Sequence, residues 1–331
     1  MGFEENEISI KSQGGTEISK RGIAARIPAD LAKDFQIIPS RIRELHEDKI
    51  RIYWLHDLAL DPELAHLKEE WSRDRFHKFV FVSHWQMNQF IDQLGFPHDQ
   101  NAVVIENHVE PFREEEMIKS KDEIRLVYFS TPHRGLEILV PVFEKLCEKY
   151  DNIYLDVFSS FEIYGWKEAD KPYEKLFERC KNHPKIVYHG FKPADEVRAA
   201  VGKAHIFAYP SIWMETACRC LIESMSAGLF CVHPNFGALP DTGGGMTYNY
   251  PWTPDKNMHA NQFYSALDHA ISIVHDDEVQ AYLKLQKIYA DTRFGINKIA
   301  ASWESLMQQL KHEYPTAESR AIKKQMFTYK V

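Results

Sequence analysis

The stretch HIFAYPSIWMETACRCLIESMSAGLFCVH, residues 205–233, decides the fold class of this chain. It begins and ends with a short apolar run, His205–Tyr209 and Leu229–His233, and a segment of helical character starts between them near Thr216. Nearly continuous apolar runs are typical of strands that are covered on both faces. A helix between two such runs predicts a strand–helix–strand unit of a parallel sheet.

The same alternation extends towards the N-terminus. Three further runs have the composition of buried strands: Ile124–Phe129, Ile153–Phe158 and Lys185–His189. Between the first two, six apolar residues follow helical spacing, namely Leu136, Leu139, Val140, Phe143, Leu146 and Cys147. Pro141 is expected to kink that helix. From about residue 120 onward the pattern therefore predicts a doubly wound parallel sheet.

The first third of the chain predicts a second, smaller α/β domain. Its strand-like segments are Gln36–Ile38, Ile50–Leu55, Lys78–Val82 and Ala102–Ile105, and helices begin near Thr16 and Trp85. The polar stretch Arg113–Glu123 is a suitable linker. We therefore expect one domain at residues 1–117 and a second at residues 118–302.

The remainder of the chain is expected to be helical after Asp255. Its last helix carries an apolar stripe made of Ile299, Trp303, Leu306, Met307 and Leu310. This C-terminal helix, at about residues 303–331, is expected to pack back on the first domain.

Composition limits the possible partners. The formal net charge of −8 at pH 7 argues against nucleic acid or anionic lipid as a partner, because either would require a basic face.

No window reaches the roughly 18 apolar residues of a transmembrane segment. The start MGFEENEIS lacks the basic and apolar regions of a signal peptide. We therefore expect a cytoplasmic protein.

The five cysteines are interpreted as reduced thiols. Four residues leave a zinc site open as an alternative: Cys218, Cys220, Cys231 and His233. Burial as small apolar side chains is the favoured interpretation, because these residues flank an apolar helix and strand.

Two carboxylate residues belong to the stretch of residues 205–233, one near the start of its predicted helix and one on the helix. Glu215 and Glu223 are eight positions apart, slightly more than two helical turns, so both can face one crevice if Glu215 lies at the helix start. Two acidic acceptors suit a ligand that carries several hydroxyls. The alternative is that Glu215 caps the helix and that Glu223 is a solvated surface residue.

A glycine pair precedes the first predicted helix. The backbone amides of Gly14 and Gly15 have no Cβ to obstruct a pyrophosphate, and a helix N-terminus favours an anion. An ordinary turn would have the same sequence.

Several motifs together resemble the retaining glycosyltransferases of family four. The two glutamates and the continuation ESMSAG at residues 223–228 are similar to that family's signature, and FGALPDTGGG at 236–245 resembles its G-G-x-P-E loop. VVIENHVEPF at 103–112 resembles its N-G-V-D motif, and GGTEISKRG at 14–22 resembles its N-terminal G-G-x-E. With the C-terminal tryptophan helix, the resemblance covers most of the chain in the expected order.

The resemblance implies the GT-B fold, in which two facing Rossmann-like domains hold a nucleotide-sugar donor in the cleft between them. It implies that Glu223 binds the ribose hydroxyls, that Glu215 contacts the transferred sugar and that Arg134 holds the leaving diphosphate. Without the resemblance, Arg134 would be interpreted as a surface arginine at a helix start. The remaining implied donor positions are Gly14, Gly15, Gly190, Phe191, Arg219, Cys220 and Leu221. The glycine turn is then expected to face the mouth of the helix that follows Tyr209.

In the first domain the resemblance concerns the ends of strands. His56 matches a histidine that faces the donor sugar and counts as a catalytic candidate. Three further strand-end residues are candidates for the acceptor side, namely Ser83, His84 and Asn107.

Two departures from the family pattern affect the phosphate site. Cys218, followed by Arg219, stands where the family has a glycine between its paired glutamates. The usual Gly-Arg after the first strand of the second domain is replaced by Ser130-Thr131, which removes one cation. Arg134, helped by Arg219, is expected to compensate.

The sequence therefore predicts a glycosyltransferase that uses a nucleotide diphosphate sugar, with UDP as the expected nucleotide, and a glycan or other acceptor. Retention of the anomeric configuration is expected, without a cofactor and without a catalytic metal. One alternative is a UDP-N-acetylhexosamine epimerase, and another is a non-catalytic subunit that binds a nucleotide sugar or a glycan.

Overall fold

The computed structural model describes residues 12–39, 41, 42, 44–97 and 101–322. The described residues form two compact units. The first unit contains Gly15–Asn107 and the residues from Ile296 onward, and the second contains residues 12–14 and His108–Gly295. The chain thus passes from one unit to the other at Asn107 and His108, ten residues before the division expected at residues 117 and 118.

The first unit is built on a four-stranded parallel sheet in the order β1-β2-β3-β4. The strands are β1 Phe35–Pro39, β2 Ile50–Leu55, β3 Lys78–Phe81 and β4 Ala102–Val104. Its helices before the second unit are α1 Gly15–Ala24, α2 Ala29–Ala32, α3 Glu70–Arg73 and α4 His84–Leu94, with a 3₁₀ segment at Pro62–Lys68. Every residue of β2 is buried, as expected for an inner strand.

The second unit is built on a six-stranded parallel sheet in the order β10-β9-β8-β5-β6-β7. Its strands are β5 Ile124–Phe129, β6 Ile153–Phe158, β7 Ile186–Tyr188, β8 Ile206–Ala208, β9 Phe230–Pro234 and β10 Tyr248–Tyr250. β6 and β7 continue the sheet to one side of β5, whereas β8 returns to the other side. The order of strands therefore reverses between β5 and β8, where ligands of such sheets bind.

Helices alternate with the strands of this sheet along the chain. They are α5 Leu136–Leu146, α6 Glu174–Asn182, α7 Ala194–Lys203, α8 Arg219–Ser226, α9 Leu239–Gly243, α10 Lys256–Ile273 and α11 Asp277–Phe294. Short 3₁₀ segments lie at Glu114–Glu116, Pro132–Arg134, Phe161–Tyr164 and Lys167–Tyr173. The predicted stripe of α5 is buried apart from the half-buried Cys147, and α5 continues through Pro141.

The last two helices belong to the first unit. They are α12 Ile296–Glu313 and α13 Ala317–Arg320. The predicted apolar stripe of α12 is buried, and the ring of Trp303 meets the ring of Trp54 on β2 edge-on at 4.8 Å. The Arg51 guanidinium donates to the Arg320 carbonyl oxygen at 2.7 Å, which holds α13 near the same strand.

Two details differ from the expectations. β10 was not expected, because it is a three-residue edge strand in which only Tyr250 is buried. α8 begins at Arg219 rather than near Thr216, and Cys218 is its N-cap. The residues from Pro210 to Ala217 therefore form a loop that lies at the carboxyl end of β8.

Candidate active site

Gly135 brings two loops of the second unit together at the carboxyl edge of the sheet. It follows Arg134 and has φ +121, and a Cβ at this position would lie 2.2 Å from the carbonyl oxygen of Pro210. Only glycine permits this approach. The loop after β5 is thereby placed against the loop after β8.

Arg134 and Glu215 form an ion pair across these two loops, in which Glu215 is buried and the Arg134 side chain remains 22% exposed. Nη1 of Arg134 donates to Oε1 and Oε2 of Glu215 at 2.7 and 3.0 Å. The Tyr209 hydroxyl also donates to Oε1, at 2.6 Å. Glu215 therefore does not cap α8, and the alternative interpretation of this residue is wrong.

The positive charge of Arg134 is maintained by Glu215. Burial by itself lowers the pKa of the Arg134 guanidinium, but the negative charge of Glu215 raises it, and the resulting pKa stands well above the usual range. Burial, followed by the charge of Glu215, raises the pKa of Tyr209 well above its usual value, so the hydroxyl stays protonated and donates. The site holds a permanent cation next to a carboxylate.

A third loop, after β9, supports the backbone of Glu215. Gly237 has φ +59, and a Cβ there would lie 2.7 Å from the nitrogen of Glu215. The amide of Ala238 donates to the carbonyl oxygen of Glu215 at 2.9 Å. This loop is part of the FGALPDTGGG motif. Its first glycine, Gly237, thus positions Glu215.

Glu223 lies on α8 and is held by a second arginine. Nη2 of Arg219 donates to Oε1 of Glu223 at 2.9 Å, and Nη1 of the same guanidinium donates to the His108 carbonyl oxygen at 2.8 Å. The side chain of Glu223 remains 27% exposed. The N-cap of α8, Cys218, offers no oxygen to the amides of the first turn.

His133 and Trp213 pack beside Arg134. The His133 ring stacks on Phe161 at 5.2 Å and meets the ring of Trp213 edge-on at 4.9 Å. The Arg134 guanidinium lies over the same indole, 5.7 Å from its centroid. Burial, assisted by the charge of Arg134, lowers the pKa of His133 to about 4, so the imidazole is neutral near pH 7.

Four buried polar atoms at this edge have no hydrogen-bond partner within the residues that the structure describes. They are Oγ1 of Thr131, Nδ1 of His133, Nε of Arg134 and Oγ of Ser159. All four residues lie on or near the loops that follow β5 and β6. An unpaired buried polar atom costs free energy. The four atoms therefore favour a ligand site at this edge.

The remaining donor candidates lie in different surroundings. The Gly14 amide donates to Ser12 Oγ at 3.3 Å, and the Gln13 amide donates to the carbonyl oxygen of Ile163 in the loop after β6 at 2.8 Å. Gly15 is the first residue of α1, in the first unit. Gly190 follows β7 in the left-handed conformation, with φ +66, and Phe191 is the next residue.

The side chains of Cys220 and Leu221 already have contacts within the second unit. The Leu221 side chain is fully buried in the core, which leaves its backbone amide at the first turn of α8. The Cys220 thiol donates to the carbonyl oxygen of Phe129 at 3.0 Å.

The zinc alternative finds no support in the contacts of its residues. His233 bonds to the Pro234 carbonyl oxygen and to the Thr247 hydroxyl, and the Cys231 thiol donates to the carbonyl oxygen of Leu229. Within residues 12–322, apart from the gaps given above, no three His, Cys, Asp or Glu side chains gather as metal ligands would.

Each candidate of the first unit makes contacts within that unit or lies at its surface. Ser83 is the N-cap of α4, and its hydroxyl accepts the Gln86 amide at 3.0 Å. The Ser19 hydroxyl donates to Oδ1 of Asn107 at 2.9 Å. His84 is the exposed first residue of α4, and the His56 ring packs 4.6 Å from the ring of Trp54.

The segment from residue 109 to residue 243 matches the family model of the glycosyl transferases group 1. This segment contains Arg134, Glu215 and Glu223. Residues 109–243 are a glycosyltransferase domain. The predicted activity class is confirmed, and neither the epimerase nor the non-catalytic alternative is favoured.

Several solved structures share the fold. A glycosyltransferase from Rickettsia africae is 15% identical over 93% of this chain and 83% of its own, with a TM-score of 0.66. Sucrose-phosphate synthase from Thermosynechococcus elongatus is 14% identical over 90% and 79%, with a TM-score of 0.65. HepE from Anabaena, in complex with UDP and glucose, is 15% identical over 88% and 81%, with a TM-score of 0.59. The predicted α/β fold of the GT-B type is confirmed.

No curated protein sequence matches this chain. Of the helices in the described ranges, none combines the length and the apolar character needed to cross a membrane.

Sequence reasoning missed three side chains around the glycosyltransferase domain's ion pair: Tyr209, His133 and Trp213. Each lies within six residues of Glu215 or next to Arg134. The signal available in the sequence was an aromatic ring or imidazole on a strand-end loop that also carries a charged candidate. Sequence spacing alone does not show that the loops after β5 and β8 touch.

Proposed function

We propose that the chain transfers a sugar from a nucleotide diphosphate sugar, and that the donor binds at the carboxyl edge of the second unit's sheet. The observation that carries this proposal is the ion pair between Arg134 and the buried Glu215, which lies four positions before α8 begins. A fixed guanidinium suits a diphosphate, and a carboxylate next to it suits sugar hydroxyls. The glycosyltransferase domain around the pair supplies the reaction class.

Glu223 is the proposed ligand of the ribose. Its carboxylate is partly exposed and is held by Arg219 one helical turn earlier, so it is oriented before a ligand arrives. A carboxylate accepts hydrogen bonds only, which fits the two vicinal hydroxyls of a ribose.

Arg134 and the first turn of α8 are the proposed diphosphate site. The guanidinium stays charged at every working pH. The first-turn amides of a helix have no partner within the helix and carry its positive dipole end. Since Cys218 caps them with no oxygen, an incoming phosphate oxygen can accept their hydrogen bonds.

Glu215 is the proposed ligand of the transferred sugar. Its oxygens accept three hydrogen bonds, two from Arg134 and one from Tyr209, and a carboxylate has about four acceptor positions. One sugar hydroxyl can therefore be added without breaking the pair. The same carboxylate lies where positive charge develops on the sugar during transfer.

Uracil is the proposed base, and the turn at Gly190 and Phe191 is its proposed neighbour. HepE, which shares the fold, was solved with UDP. The turn follows β7, on the side of β5 opposite to β8, so a base there would extend along the same sheet edge as the diphosphate.

The proposed reaction breaks the bond between the anomeric carbon and the diphosphate oxygen and forms a bond from that carbon to an acceptor hydroxyl oxygen. The electron pair leaves with the diphosphate, whose added charge Arg134 and the α8 amides stabilise, and the acceptor proton passes to the leaving oxygen. We propose retention of the anomeric configuration, with no catalytic metal. The acceptor is a glycan or a small molecule with a free hydroxyl.

A panel of nucleotides and nucleotide sugars, followed by thermal unfolding, tests the proposal. A ligand that binds only the folded chain raises the unfolding temperature, so UDP and one or more UDP-sugars are expected to give the largest shifts. The Glu223→Ala variant is expected to lose the shift. A parent chain that responds to no nucleotide would contradict the proposal.

Glu144→Ala is the matched control for that variant. Glu144 is also an ion-paired helical carboxylate of the second unit, 26% exposed, and its partner is Arg179. It is expected to keep the full nucleotide shift. For the finer claims, proton NMR of the product would identify the anomer, and turnover that survives a chelator would support the metal-free mechanism.

A further inference from the structure

Trp213 is a side chain near the ion pair to which the proposed reaction gives no role. It lies two residues before Glu215, on the loop after β8, and is 42% exposed. Single exposed aromatic side chains are common on protein surfaces and by themselves carry no meaning. Its fixation and its neighbours are what set this one apart.

The backbone of Trp213 is fixed by Ser211. The Ser211 hydroxyl accepts the Trp213 amide at 3.2 Å and donates to the Trp213 carbonyl oxygen at 3.0 Å. Ser211 itself is fully buried, so this small turn is anchored in the body of the second unit. The indole therefore projects from a rigid base.

The indole is also supported on its own ring. The His133 imidazole meets it edge-on at 4.9 Å, and the Arg134 guanidinium lies 5.7 Å from its centroid. His133 is in turn stacked on Phe161. An aromatic ring that is held in this way loses little conformational freedom when a ligand packs on it.

We infer that Trp213 is a stacking surface for a pyranose ring. This inference rests on the proposed function of the same sheet edge. A pyranose has a face of C–H groups and a rim of hydroxyls. The electron-rich face of an indole attracts C–H groups, while the hydroxyl rim would lie towards Glu215 and Arg134. Small-molecule sites commonly combine apolar rings with a few polar groups in this manner.

The ring on Trp213 belongs either to the donor's sugar or to a sugar of the acceptor, and two measurements separate these sources. The first is the ratio of the affinity for UDP-glucose to the affinity for UDP. The second is the KM of a glycan acceptor at saturating donor. Each is measured for the parent chain, for Trp213→Ala and for Trp213→Phe.

Truncation of an aromatic contact at a binding surface is expected to change one of the two quantities about tenfold. If the affinity ratio falls and the affinity for UDP is unchanged, the ring is the donor's. If the ratio stays and the acceptor KM rises, the ring is the acceptor's. Trp213→Phe is expected to restore most of the loss, because a smaller aromatic face remains.

Trp166→Ala is the control. Trp166 is 55% exposed in the same unit and packs on Tyr164 rather than on the ion pair, so its loss is expected to change neither quantity. Unchanged values in Trp213→Ala would overturn the inference while the proposed function stands. A parent chain that binds no nucleotide and no nucleotide sugar would overturn the proposed function first and the inference with it.

Discussion

The carboxyl edges of the two parallel sheets use their polar residues in opposite ways. In the second unit, side chains from different loops bind one another: Arg134 after β5 bonds to Glu215 after β8, and Tyr209 joins them. In the first unit, Ser83 caps the helix that follows its own strand, and Asn107 accepts a bond from α1. A polar residue at a strand end is therefore weak evidence for a site, whereas charged residues brought together from separate loops are stronger evidence.

The ion pair of the second unit and the helix cap of the first unit also differ in their effect on the free energy of folding. Burying the Glu215 carboxylate against a partly buried guanidinium requires that both ions lose water, and well-packed apolar residues often stabilise a fold as well as or better than such a pair. A helix cap such as Ser83 has no comparable cost and stabilises the fold by itself. The second unit thus carries an arrangement that stability alone does not explain.

The largest expected effect follows from breaking the ion pair. Arg134→Met leaves the buried carboxylate of Glu215 without its cation, so we expect the free energy of unfolding to fall by about 3 to 5 kcal/mol and turnover to fall about 100-fold or more. Chemical denaturation and initial rates measure the two effects. Arg134→Met combined with Glu215→Gln is expected to regain part of the stability and none of the activity.

Arg179→Met is the control for this prediction. Its pair with Glu144 is more exposed, so its loss is expected to cost less than about 1 kcal/mol and to leave turnover unchanged. Equal losses of stability in Arg134→Met and Arg179→Met would remove the distinction between a pair that contains a buried carboxylate and a more exposed pair.

The second effect concerns affinity for the nucleotide. Glu223→Ala removes a charged acceptor from a ribose hydroxyl, a contact of about 1.5 to 3 kcal/mol, so Kd for UDP is expected to rise about 10- to 100-fold. Titration calorimetry measures it. Unfolding free energy is expected to change little, because the bond to Arg219 is a partly exposed pair one helical turn apart. An unchanged Kd would remove the ribose assignment.

The third prediction separates two effects of an alanine substitution at Gly237, in the loop after β9. One is the steric clash of the added Cβ with Glu215, and the other is the strain of the left-handed backbone conformation. Gly237→Ala places a Cβ against the Glu215 nitrogen, whereas Gly245→Ala, also at positive φ, meets nothing within 4 Å. Both are expected to cost about 1 kcal/mol for the left-handed conformation, and Gly237→Ala is expected to cost about 2 kcal/mol more through displacement of Glu215. Turnover is expected to fall only in Gly237→Ala. Equal stability and turnover in the two variants would show that the loop does not position Glu215.

The smallest effect tests the first unit. Ser83→Ala removes the N-cap of α4, so the free energy of unfolding is expected to fall by about 1 kcal/mol. Kinetics at a temperature where both chains are folded are expected to show unchanged kcat and KM. A rise in the acceptor KM would instead support the acceptor-side role that the resemblance suggested for Ser83.

Much of the fold could be predicted because it follows from local patterns. The apolar runs of β5, β6, β8 and β9 and the stripes of α5 and α12 were visible in the sequence, since buried strands and helices impose a composition and a period. The start of α8 was missed because Cys218 is not a usual N-cap residue. β10 was missed because an edge strand needs little apolar surface.

The candidate site could be predicted only as separate residues. Glu215, Glu223 and Arg134 were named from motifs, but the bond between Arg134 and Glu215 depends on the approach of Gly135 to Pro210, which joins residues far apart in the chain. The roles of Tyr209 and Trp213 depend on the same approach. Tertiary contact of this kind leaves no local pattern to read.

The proposed donor site can be examined in a crystal structure of the chain with UDP. We expect a diphosphate oxygen within hydrogen-bonding distance of the Arg134 guanidinium, about 2.7 to 3.2 Å, and ribose hydroxyls that donate to Glu223. UDP bound elsewhere on the chain, with the Arg134–Glu215 pair untouched and Glu223 free of ligand, would contradict the proposed donor site.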